Sequence, residues 1–504
     1  MSNVVGIAGA RRSAAAALCR HGELVAFCEQ ERVTRQKHVG LVVGALPREA
    51  VECVLAVGDA GGASVTYAAA EDEIVLPVGA AAVRCDHHFA HAVTAFCSSP
   101  FDEAAVLVCD RHSPGEVTAW RGTGERLHPV ELESRGEGLA RKYSDVVNAF
   151  GLTPGAEEFR FEILAELGDR NRPPAGLDED PYGLRAAKHL AQAVHDLLGA
   201  GGGADASMRA AIAAAVQRSL AAELVEFARR VRETVATENV CLAGGLFFNS
   251  FLTTAVARAG IFKRTFVPVN PGNAGVAAGA AVAASRAPGE EGLPRPRRPW
   301  SPFLGPEYSP EGIKAVLDNC KLSYEFLRDD LIVERTVDAL KRGRLVGWFQ
   351  GRMEWGARAL GNRSILASPI APFTSENLNR FLKHRPSYRS YSVSICAEQR
   401  SRFFDGPESS DYMEFEYDVF DPGKFCGLLP ALGRRCRVQT VGSDPAPFRR
   451  LLEAFGQATG IPALVNTSFN GFSEPMVCSP RDAVRVFYGT GLDLLVIGNF
   501  LVKK

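Results

Sequence analysis

Three histidines within five residues lie next to a carboxylate that ends an apolar segment. His87 and His91 are four positions apart, so both imidazoles would share one face if this segment begins a helix. The apolar run 104–109 then ends in Asp110. Two neutral imidazoles and one carboxylate suit a divalent metal ion with positions left open for a substrate. We therefore predict a metal site at His87, His91 and Asp110, although a histidine pair on a helix also serves purely structural roles.

The second half of the chain contains two short clusters of basic residues. Residues 351–364 include three arginines and three glycines, and residues 383–389 add a lysine and two more arginines. Guanidinium groups beside glycine backbone suit planar oxyanions such as phosphate or carboxylate. Apolar neighbours indicate partial burial, and few acidic residues lie nearby to neutralise the charge. A phosphate-bearing ligand is the simplest partner, and a solvated basic surface is the alternative interpretation.

Two further segments place small polar residues or glycines after apolar runs. Residues 466–471 offer amide and hydroxyl groups that can hold a phosphate or a carbamate by neutral hydrogen bonds. Gly244 and Gly245 follow the run 240–243, where a nucleotide can lie against the backbone and the N-terminus of the next helix. Each pattern alone also occurs at ordinary turns.

The elements that position these groups follow alternating strand and helix patterns. This alternation predicts a layered α/β architecture. Strands are predicted at residues 4–8, 23–29, 104–110 and 240–243, a turn at His21-Gly22, and a helix at 206–235. Six prolines between Ser285 and Pro310 cannot continue a helix or a central strand. We therefore predict a first domain at residues 1–290, a linker at 291–309 and a second domain at 310–504.

Composition excludes several classes of function. The 504 residues include 57 basic and 58 acidic side chains, so no global field holds nucleic acid or an anionic membrane. No apolar run approaches the roughly 20 residues of a membrane span, and the N-terminus does not resemble a signal peptide. The twelve cysteines include no C-x-x-C pair, which is typical of reduced thiols in a cytoplasmic protein. Walker and G-x-S-x-G motifs are missing, and the glycine-rich stretch 199–204 follows helical sequence instead of a strand.

Together these segments resemble the NodU/CmcH family of carbamoyltransferases, and the resemblance spans nearly the whole chain. It is carried by residues 30–38, 87–92, 243–245, 351–364, 383–389 and 466–470. The long segment 351–364 is the most specific of them. The resemblance implies an N-terminal TsaD-like domain of the actin/Hsp70 class (ASKHA) and a C-terminal YrdC-like α/β domain.

The resemblance also implies two reactions and the residues that serve them. The C-terminal site would make carbamoyl adenylate from carbamoyl phosphate and ATP, with Mg²⁺, and the N-terminal site would transfer the carbamoyl group to a small natural-product acceptor. Fe²⁺ or another divalent ion would bind at the His87, His91 and Asp110 site. Neither nucleic acid nor a membrane is an expected partner, and a homodimer is left open. The residues expected to bind carbamoyl phosphate are Arg358, Lys383, Arg389, Ser468 and Asn466. The residues expected to contact substrate or nucleotide are Arg352, Arg363, Arg385, Gly244, Gly245, Asn249 and Asn273.

The first domain departs from the family pattern at three places. Arg12 and Ser13 stand where the family usually has His-Asp, and an arginine cannot accept a proton from an acceptor hydroxyl. Asn273 replaces an aspartate of the metal site, and Ile163 stands at a usual glycine. The anion-binding residues of the second domain are intact. We therefore expect carbamoyl adenylate formation to be retained and the acceptor step to be altered.

These departures leave several alternatives open. In one, the acceptor is an amine or another non-hydroxyl nucleophile; in another, His88 or His112 replaces the missing base. In a third, the first domain has lost carbamoyl transfer and ATP activates a different small acid, and in a fourth the chain is a non-catalytic nucleotide-binding subunit. Threonylcarbamoylation of tRNA is disfavoured by the neutral net charge and the fused domains. A maturation factor that carbamoylates a protein cysteine would carry C-x-x-C elements, which this sequence lacks.

Overall fold

A computed structural model describes most of the chain, in two compact units. The described residues are 3–41, 45–61, 64–77, 80–111, 117–132, 138–170, 180–185, 187–199, 204–286, 292–296, 298–387, 389–429 and 433–504. One unit contains Met1–Cys85, Asn273–Pro288 and Trp300–Lys504, and the other contains Asp86–Gly272 and Gly289–Pro299. The domain limits proposed from the sequence group the chain differently, and they stay a prediction.

The first unit begins with a five-stranded mixed sheet. Its elements are β1 (Asn3–Ala8), β2 (Ala15–Arg20), β3 (Glu23–Glu29), α1 (Gln30–Thr34), α2 (Arg48–Val57), β4 (Val65–Ala69) and β5 (Ala82–Arg84). The strand order is β3-β2-β1-β4-β5, in which β1, β2 and β3 are antiparallel neighbours and β4 and β5 extend the sheet in parallel. His21 and Gly22 both have positive φ and form the predicted turn between β2 and β3.

The strand β2 was not predicted from the sequence. Its residues, AAALCR, include three alanines, which favour strands poorly. The first five residues of the strand are nevertheless buried, because β2 lies between β1 and β3 and packs against α2. Tertiary packing therefore outweighs local propensity here.

The second unit repeats the same strand arrangement. Its elements are α3 (His87–Ser98), β6 (Glu103–Cys109), β7 (Val117–Thr123), β8 (Arg126–Val130), α4 (Leu139–Ala149), α5 (Glu158–Arg170), α6 (Leu190–Gly199), α7 (Ala206–Val235), β9 (Asn239–Ala243), α8 (Ser250–Arg258) and β10 (Arg264–Phe266). The strand order β10-β9-β6-β7-β8 again joins an antiparallel meander to two parallel strands. This duplicated α/β topology confirms the predicted actin/Hsp70-type N-terminal fold.

Two helices show how the sequence shapes these two units. The 30-residue α7 begins at the N-cap Asp205 and has the predicted limits. The alanine-rich α9 (Val276–Ala284) packs against β1 in the first unit. A Cβ at Gly6 of β1 would lie 2.0 Å from the Ala277 carbonyl oxygen, so only glycine permits this approach.

The C-terminal part of the first unit is an α/β domain built on a ten-stranded sheet. Its helices are α10 (Pro310–Asn319), α11 (Asp329–Lys341), α12 (Thr374–Asn377), α13 (Arg400–Phe403), α14 (Ala446–Thr459) and α15 (Pro480–Gly489). Its strands are β11 (Tyr324–Phe326), β12 (Val346–Phe349), β13 (Arg363–Ala367), β14 (Ser392–Cys396), β15 (Phe404–Asp405), β16 (Glu416–Val419), β17 (Arg435–Val441), β18 (Ala463–Ser468), β19 (Leu494–Ile497) and β20 (Phe500–Lys503). The strand order is β11-β20-β19-β12-β13-β18-β14-β17-β16-β15.

The core of this domain lies between the sheet and two of its helices, α11 and α14. It contains Trp348, Leu366, Phe448, Phe455 and Leu464, all fully buried. Across the described residues, no helix is both long enough and apolar enough to span a bilayer. The predicted linker contains neither a helix nor a strand among its described residues.

Candidate active site

The centre of the ten-stranded sheet carries the polar residues at the end of β18. Asn466 lies opposite Leu366 on one neighbouring strand and Ser392 on the other, and Ser468 lies opposite Ser364. The apolar residues 463–465 are fully buried. The strand therefore carries its last three residues, which are polar, to the edge of the apolar core.

Lys383 reaches this strand end from a neighbouring helical segment. It is the last residue of a π-helix, Leu378–Lys383, which His384 ends with a left-handed backbone conformation (φ 46°). The Lys383 ammonium donates to the carbonyl oxygens of Ser468 at 2.7 Å and Asn470 at 3.1 Å, and also to the Asn470 side chain. These contacts use its hydrogen-bonding capacity while only 8% of the residue is exposed.

The electrostatic surroundings of Lys383 are unfavourable for a cation. Burial lowers the pKa of Lys383 well below its ordinary range. Repulsion from Arg385, Lys37 and Arg389 lowers it further. Among the described residues, the charged groups that shift the pKa of Lys383 are positive, and an anion bound beside it would relieve the repulsion.

Arg389 experiences the same crowding. Burial lowers the pKa of Arg389 to about 9, and positive charges at Arg385, Arg437 and then Arg358 contribute to the shift. Six basic side chains are linked in this way, and we call them the cationic cluster. The cationic cluster consists of Lys37, Arg358, Lys383, Arg385, Arg389 and Arg437. Lys383 is buried, the four arginines are half-buried and Lys37 is exposed. Like charges grouped in this way are typical of a site for a polyanion.

A buried glutamate shapes the loop that carries Arg358. One carboxylate oxygen of Glu354 accepts backbone N–H groups from Leu360 at 2.7 Å, Arg363 at 3.1 Å and Asn362 at 3.3 Å. Glu354 is 1% exposed, so these hydrogen bonds form in a medium of low dielectric constant. The loop is consequently organised before any ligand binds.

An ion pair from the first sheet holds the same loop at Gly356, and we call it the Glu29–Arg32 clamp. The Glu29 carboxylate accepts the Gly356 N–H at 2.8 Å, and the Arg32 guanidinium donates to the Gly356 carbonyl at 2.8 Å. Arg32 also donates to Glu29 at 3.2 Å, and both residues are 6% exposed. Burial raises the pKa of Glu29, and the Arg32 charge opposes this shift. The backbone N–H and carbonyl of Gly356, two residues before Arg358, are thus both held by hydrogen bonds.

Asn466 supports the other side of the loop. Its amide nitrogen donates to the Ala359 carbonyl at 3.2 Å and to Ser394 Oγ at 2.9 Å. Gln439 donates to the neighbouring Leu360 carbonyl at 3.0 Å. Asn466 is 1% exposed, and its Oδ1 has no hydrogen-bond donor among the described residues. A buried acceptor without a donor is costly, so this oxygen suits an N–H group of a ligand.

Three of the predicted arginines differ in their surroundings. Arg363 is fully buried, donates to the carbonyls of Gln350, Asn362, Pro306 and Gly351, and stacks 3.6 Å from the Phe349 ring centre. Arg352 donates to the carbonyls of Gly305, Val25 and Leu304. Arg385 donates to Asn379 and Tyr391. Arg363 and Arg352 brace the backbone, so we leave them out of the proposed ligand site, whereas Arg385 remains in the cationic cluster.

The second unit brings together the predicted metal ligands. Asp86 caps α3 by accepting the Phe89 N–H at 2.7 Å, which places His87 and His91 one turn apart. Asp110 follows β6, and one of its oxygens lies 3.1 Å from His87 Nε2 and 3.0 Å from His91 Nε2. Burial opposes ionisation of Asp110, but hydrogen bonds from the two imidazoles hold its pKa well below its ordinary range.

These three residues have the donor set of a divalent metal site. Their ligand atoms all lie within 4.8 Å of one another, and the side chains of His91 and Asp110 are 1% and 3% exposed. Two imidazole nitrogens and one carboxylate oxygen fit Fe²⁺ or a similar ion. The adjacent His88 is also buried, which lowers its pKa to about 4, and its Nδ1 lies 3.0 Å from Thr118 Oγ1. His112, the other alternative base, lies outside the described residues.

The remaining predicted residues of the first domain have mixed environments. A Cβ at Gly244, whose φ is +104°, would lie 2.0 Å from the Cys109 carbonyl oxygen, whereas one at Gly245 would meet no atom within 4 Å. The backbone at Gly245 is thus not covered on its Cβ side, and the nucleotide contact assigned to Gly244 and Gly245 stays a prediction. Asn273 begins a short helical turn before α9, and its assigned role stays a prediction. Ser13 has a φ of 55°, and its N–H faces the His38 carbonyl at 3.4 Å.

Asn249 has a structural role in the second unit. Its carbonyl oxygen caps α8 by accepting the N–H groups of Phe251 and Leu252. Its amide nitrogen donates to Gln217 at 2.8 Å and Tyr143 at 3.2 Å, and the residue is 2% exposed. Protein groups engage both ends of this amide, so we do not include Asn249 among the proposed ligand contacts.

Several residues of the site were missed from the sequence. Lys37 and Arg437 join the cationic cluster, and Glu29 and Arg32 hold its loop. The motif 30–38 contains three basic residues before its final histidine, which was a usable signal for Lys37. Arg437 alternates with apolar residues on β17 and carries no such signal.

Comparison with known proteins assigns the chain to a family. The family model for the carbamoyltransferase N-terminus matches residues 80–282, and the one for the carbamoyltransferase C-terminus matches residues 337–504. Nodulation protein NolO of Bradyrhizobium diazoefficiens is 32% identical over 440 residues, which cover 83% of this chain and 79% of that protein. The uncharacterised protein sll1178 of Synechocystis is 31% identical over 465 residues, with 83% and 76% covered.

One relative is named for a carbamoylation reaction, and one similar solved structure was determined with phosphate and a nucleotide bound. The 3'-hydroxymethylcephem-O-carbamoyltransferase of Amycolatopsis lactamdurans is 30% identical over 260 residues, which cover 51% of this chain and 47% of that enzyme. Full-length HypF in its phosphate- and nucleotide-bound form matches with a TM-score of 0.36 and 12% identity, over 60% of this chain and 47% of that chain. On the two family matches and the long similarity to NolO, this chain belongs to the carbamoyltransferase family and is a transferase enzyme.

Proposed function

We propose that the chain activates carbamoyl phosphate with ATP and transfers the carbamoyl group to a small-molecule acceptor. Water first releases carbamate and inorganic phosphate from carbamoyl phosphate. The carbamate oxygen then attacks the α-phosphate of ATP, forming carbamoyl adenylate and expelling pyrophosphate. Finally, the acceptor attacks the carbamoyl carbon, AMP leaves, and the acceptor loses a proton.

The cationic cluster is the observation that carries this proposal. Carbamoyl phosphate and ATP are both polyanions, and burial together with repulsion from neighbouring cations lowers the pKa values of both Lys383 and Arg389. Bound phosphates would reduce this repulsion without protein reorganisation, because the loop of Arg358 is already held at Gly356 and Ala359. The first two steps are therefore assigned to the C-terminal domain.

Asn466 adds a contact that phosphate alone would not require. Its Oδ1 is a buried acceptor without a donor among the described residues. A carbamoyl group has an NH₂, which can donate to this oxygen while its phosphate contacts the cations. The combination supports carbamoyl phosphate over other phosphorylated acids, and it disfavours the alternative in which another acid is activated.

The acceptor step is assigned to the second unit, where His87, His91 and Asp110 would hold the metal ion. A divalent ion bound there would polarise the carbamoyl oxygen or orient the adenylate. Arg12 occupies the usual position of the acceptor base and keeps its proton. An amine acceptor, or a hydroxyl activated by another group, therefore remains part of the proposal. The cephem carbamoyltransferase and the nodulation proteins suggest a small natural product as acceptor.

Pyrophosphate release tests the activation step directly. Purified protein should release pyrophosphate only when ATP and carbamoyl phosphate are both present, because carbamate is the attacking group. Omitting either substrate, or replacing carbamoyl phosphate by acetyl phosphate, should reduce the rate to background. Pyrophosphate release that does not depend on carbamoyl phosphate would contradict the proposal, and no release at all would favour the non-catalytic subunit.

The metal assignment is tested by Asp110→Asn. An amide offers one neutral oxygen in place of an anionic one, so we expect metal content per chain to fall at least about tenfold. Pyrophosphate release should stay near the wild-type rate because the activation site lies elsewhere. The matched control is Asp102→Asn, because Asp102 is an exposed aspartate. Unchanged metal content in Asp110→Asn, measured by elemental analysis of the purified protein, would refute the site.

A further inference from the structure

Two aromatic side chains lie next to the cationic cluster. His384 directly follows Lys383, and Phe472 lies two residues after Asn470. The Lys383 ammonium donates to Asn470, so it ties the two segments together. The ring centres of His384 and Phe472 are 5.9 Å apart and their planes are nearly perpendicular, at 86°. A pair of rings thus borders the site at which we place the phosphates.

Phe472 exposes most of a large apolar side chain to solvent, as Phe326, Phe373, Phe381 and Phe420 also do in this domain. It is 62% exposed, although most phenylalanines of this domain are buried. What distinguishes Phe472 is its place: its segment is tied to Lys383 of the cationic cluster through Asn470. An apolar ring face beside a charged site is the arrangement that a ligand with one apolar and one anionic end requires.

The backbone adopts left-handed conformations at His384 itself and directly after Phe472. His384 has a φ of 46° after a π-helix, and Ser473, directly after Phe472, has a φ of 58°. Non-glycine residues rarely adopt this left-handed region, and π-helical turns concentrate at functional sites. The backbone of both segments is therefore locally strained, and the two segments lie next to Lys383 and Asn470.

We propose that the face of Phe472, whose ring packs edge-to-face with that of His384, forms a stacking platform for the base of the nucleotide whose phosphates bind the cationic cluster. This proposal rests on the proposed function, because it assumes that a nucleoside triphosphate binds there. A nucleotide has the required shape, with a planar apolar base at one end and phosphates at the other. Stacking on an aromatic face depends weakly on base identity, so discrimination between ATP and GTP should be modest.

The test compares ATP with inorganic tripolyphosphate, which has the charge of ATP's phosphates and no base. In the pyrophosphate-release assay of the full chain, Phe472→Ala should raise the KM for ATP about tenfold. The KM for carbamoyl phosphate and the inhibition constant of tripolyphosphate should not change. Phe472→Trp should keep the wild-type KM for ATP, and its tryptophan fluorescence should respond to ATP but not to tripolyphosphate.

Phe326→Ala is the matched control. Phe326 is 64% exposed, and it lies on the edge strand β11, five strands from β18, or about 24 Å away. Its removal should leave all these constants unchanged. The platform is refuted if Phe472→Ala leaves the KM for ATP unchanged, or if it weakens ATP and tripolyphosphate equally. Wild-type protein that releases no pyrophosphate would instead refute the proposed function, and the platform with it.

Discussion

Arg358→Ala should reduce pyrophosphate release about a thousandfold, with little change in thermal stability. Arg358 belongs to the cationic cluster, and its loop is held on both sides by groups that do not depend on its own side chain. In the proposed function, this guanidinium would bind negative charge that develops on the phosphates. Arg358→Lys keeps one positive charge but loses the planar fork, so its rate should fall between those of wild type and Arg358→Ala.

The control for this prediction is Arg450→Ala. Arg450 lies on α14 and forms an exposed pair with Asp329 at 3.1 Å, outside the cationic cluster. Exposed pairs of this kind contribute less than about 1 kcal/mol, so the activity and stability of this variant should match wild type. Arg358→Ala with near-normal pyrophosphate release would show that Arg358 does not act on the phosphates.

Glu29→Ala should lower the free energy of unfolding by about 3–5 kcal/mol and strongly reduce pyrophosphate release. The Arg32 guanidinium would lose a buried partner, and the Gly356 N–H would lose its acceptor. Gly356 lies two residues before Arg358, so the loop should lose its fixed position as well. Chemical denaturation measures the first effect, and the pyrophosphate assay at a temperature where the variant is folded measures the second.

Two further variants separate the charge effect from general damage. Glu29→Ala/Arg32→Met removes the Arg32 guanidinium together with its partner, and Glu31, which also pairs with Arg32, still accepts the His38 N–H at 2.7 Å. Part of the lost stability should therefore return while activity stays low. Glu398→Ala removes a glutamate that is 56% exposed and pairs with Arg449, and it should cost less than about 1 kcal/mol. A small stability loss in Glu29→Ala, equal to that of Glu398→Ala, would contradict the clamp.

Much of the fold and part of the site were predictable because their signals are local. The limits of α7 follow from apolar periodicity and the cap at Asp205, and β3 follows from a run of strand-forming residues. The spacing of His87 and His91 on one helix face needed only the cap at Asp86. Interactions between residues that are close together in the chain depend on local sequence, so sequence patterns can predict them.

The tertiary structure alone decided which basic residues hold the backbone and which join the cationic cluster. Arg363 and Arg358 lie in one basic segment, yet Arg363 is buried against four carbonyls while Arg358 belongs to the cationic cluster. The contact between Glu29 and Gly356 spans 327 positions of the chain. A guanidinium or a carboxylate takes whichever partners the folded backbone brings within about 3 Å, and side-chain type does not reveal those partners. The sequence by itself therefore determined the family, the fold class and the spacing of the predicted metal ligands. Packing decided which partners each charged side chain contacts.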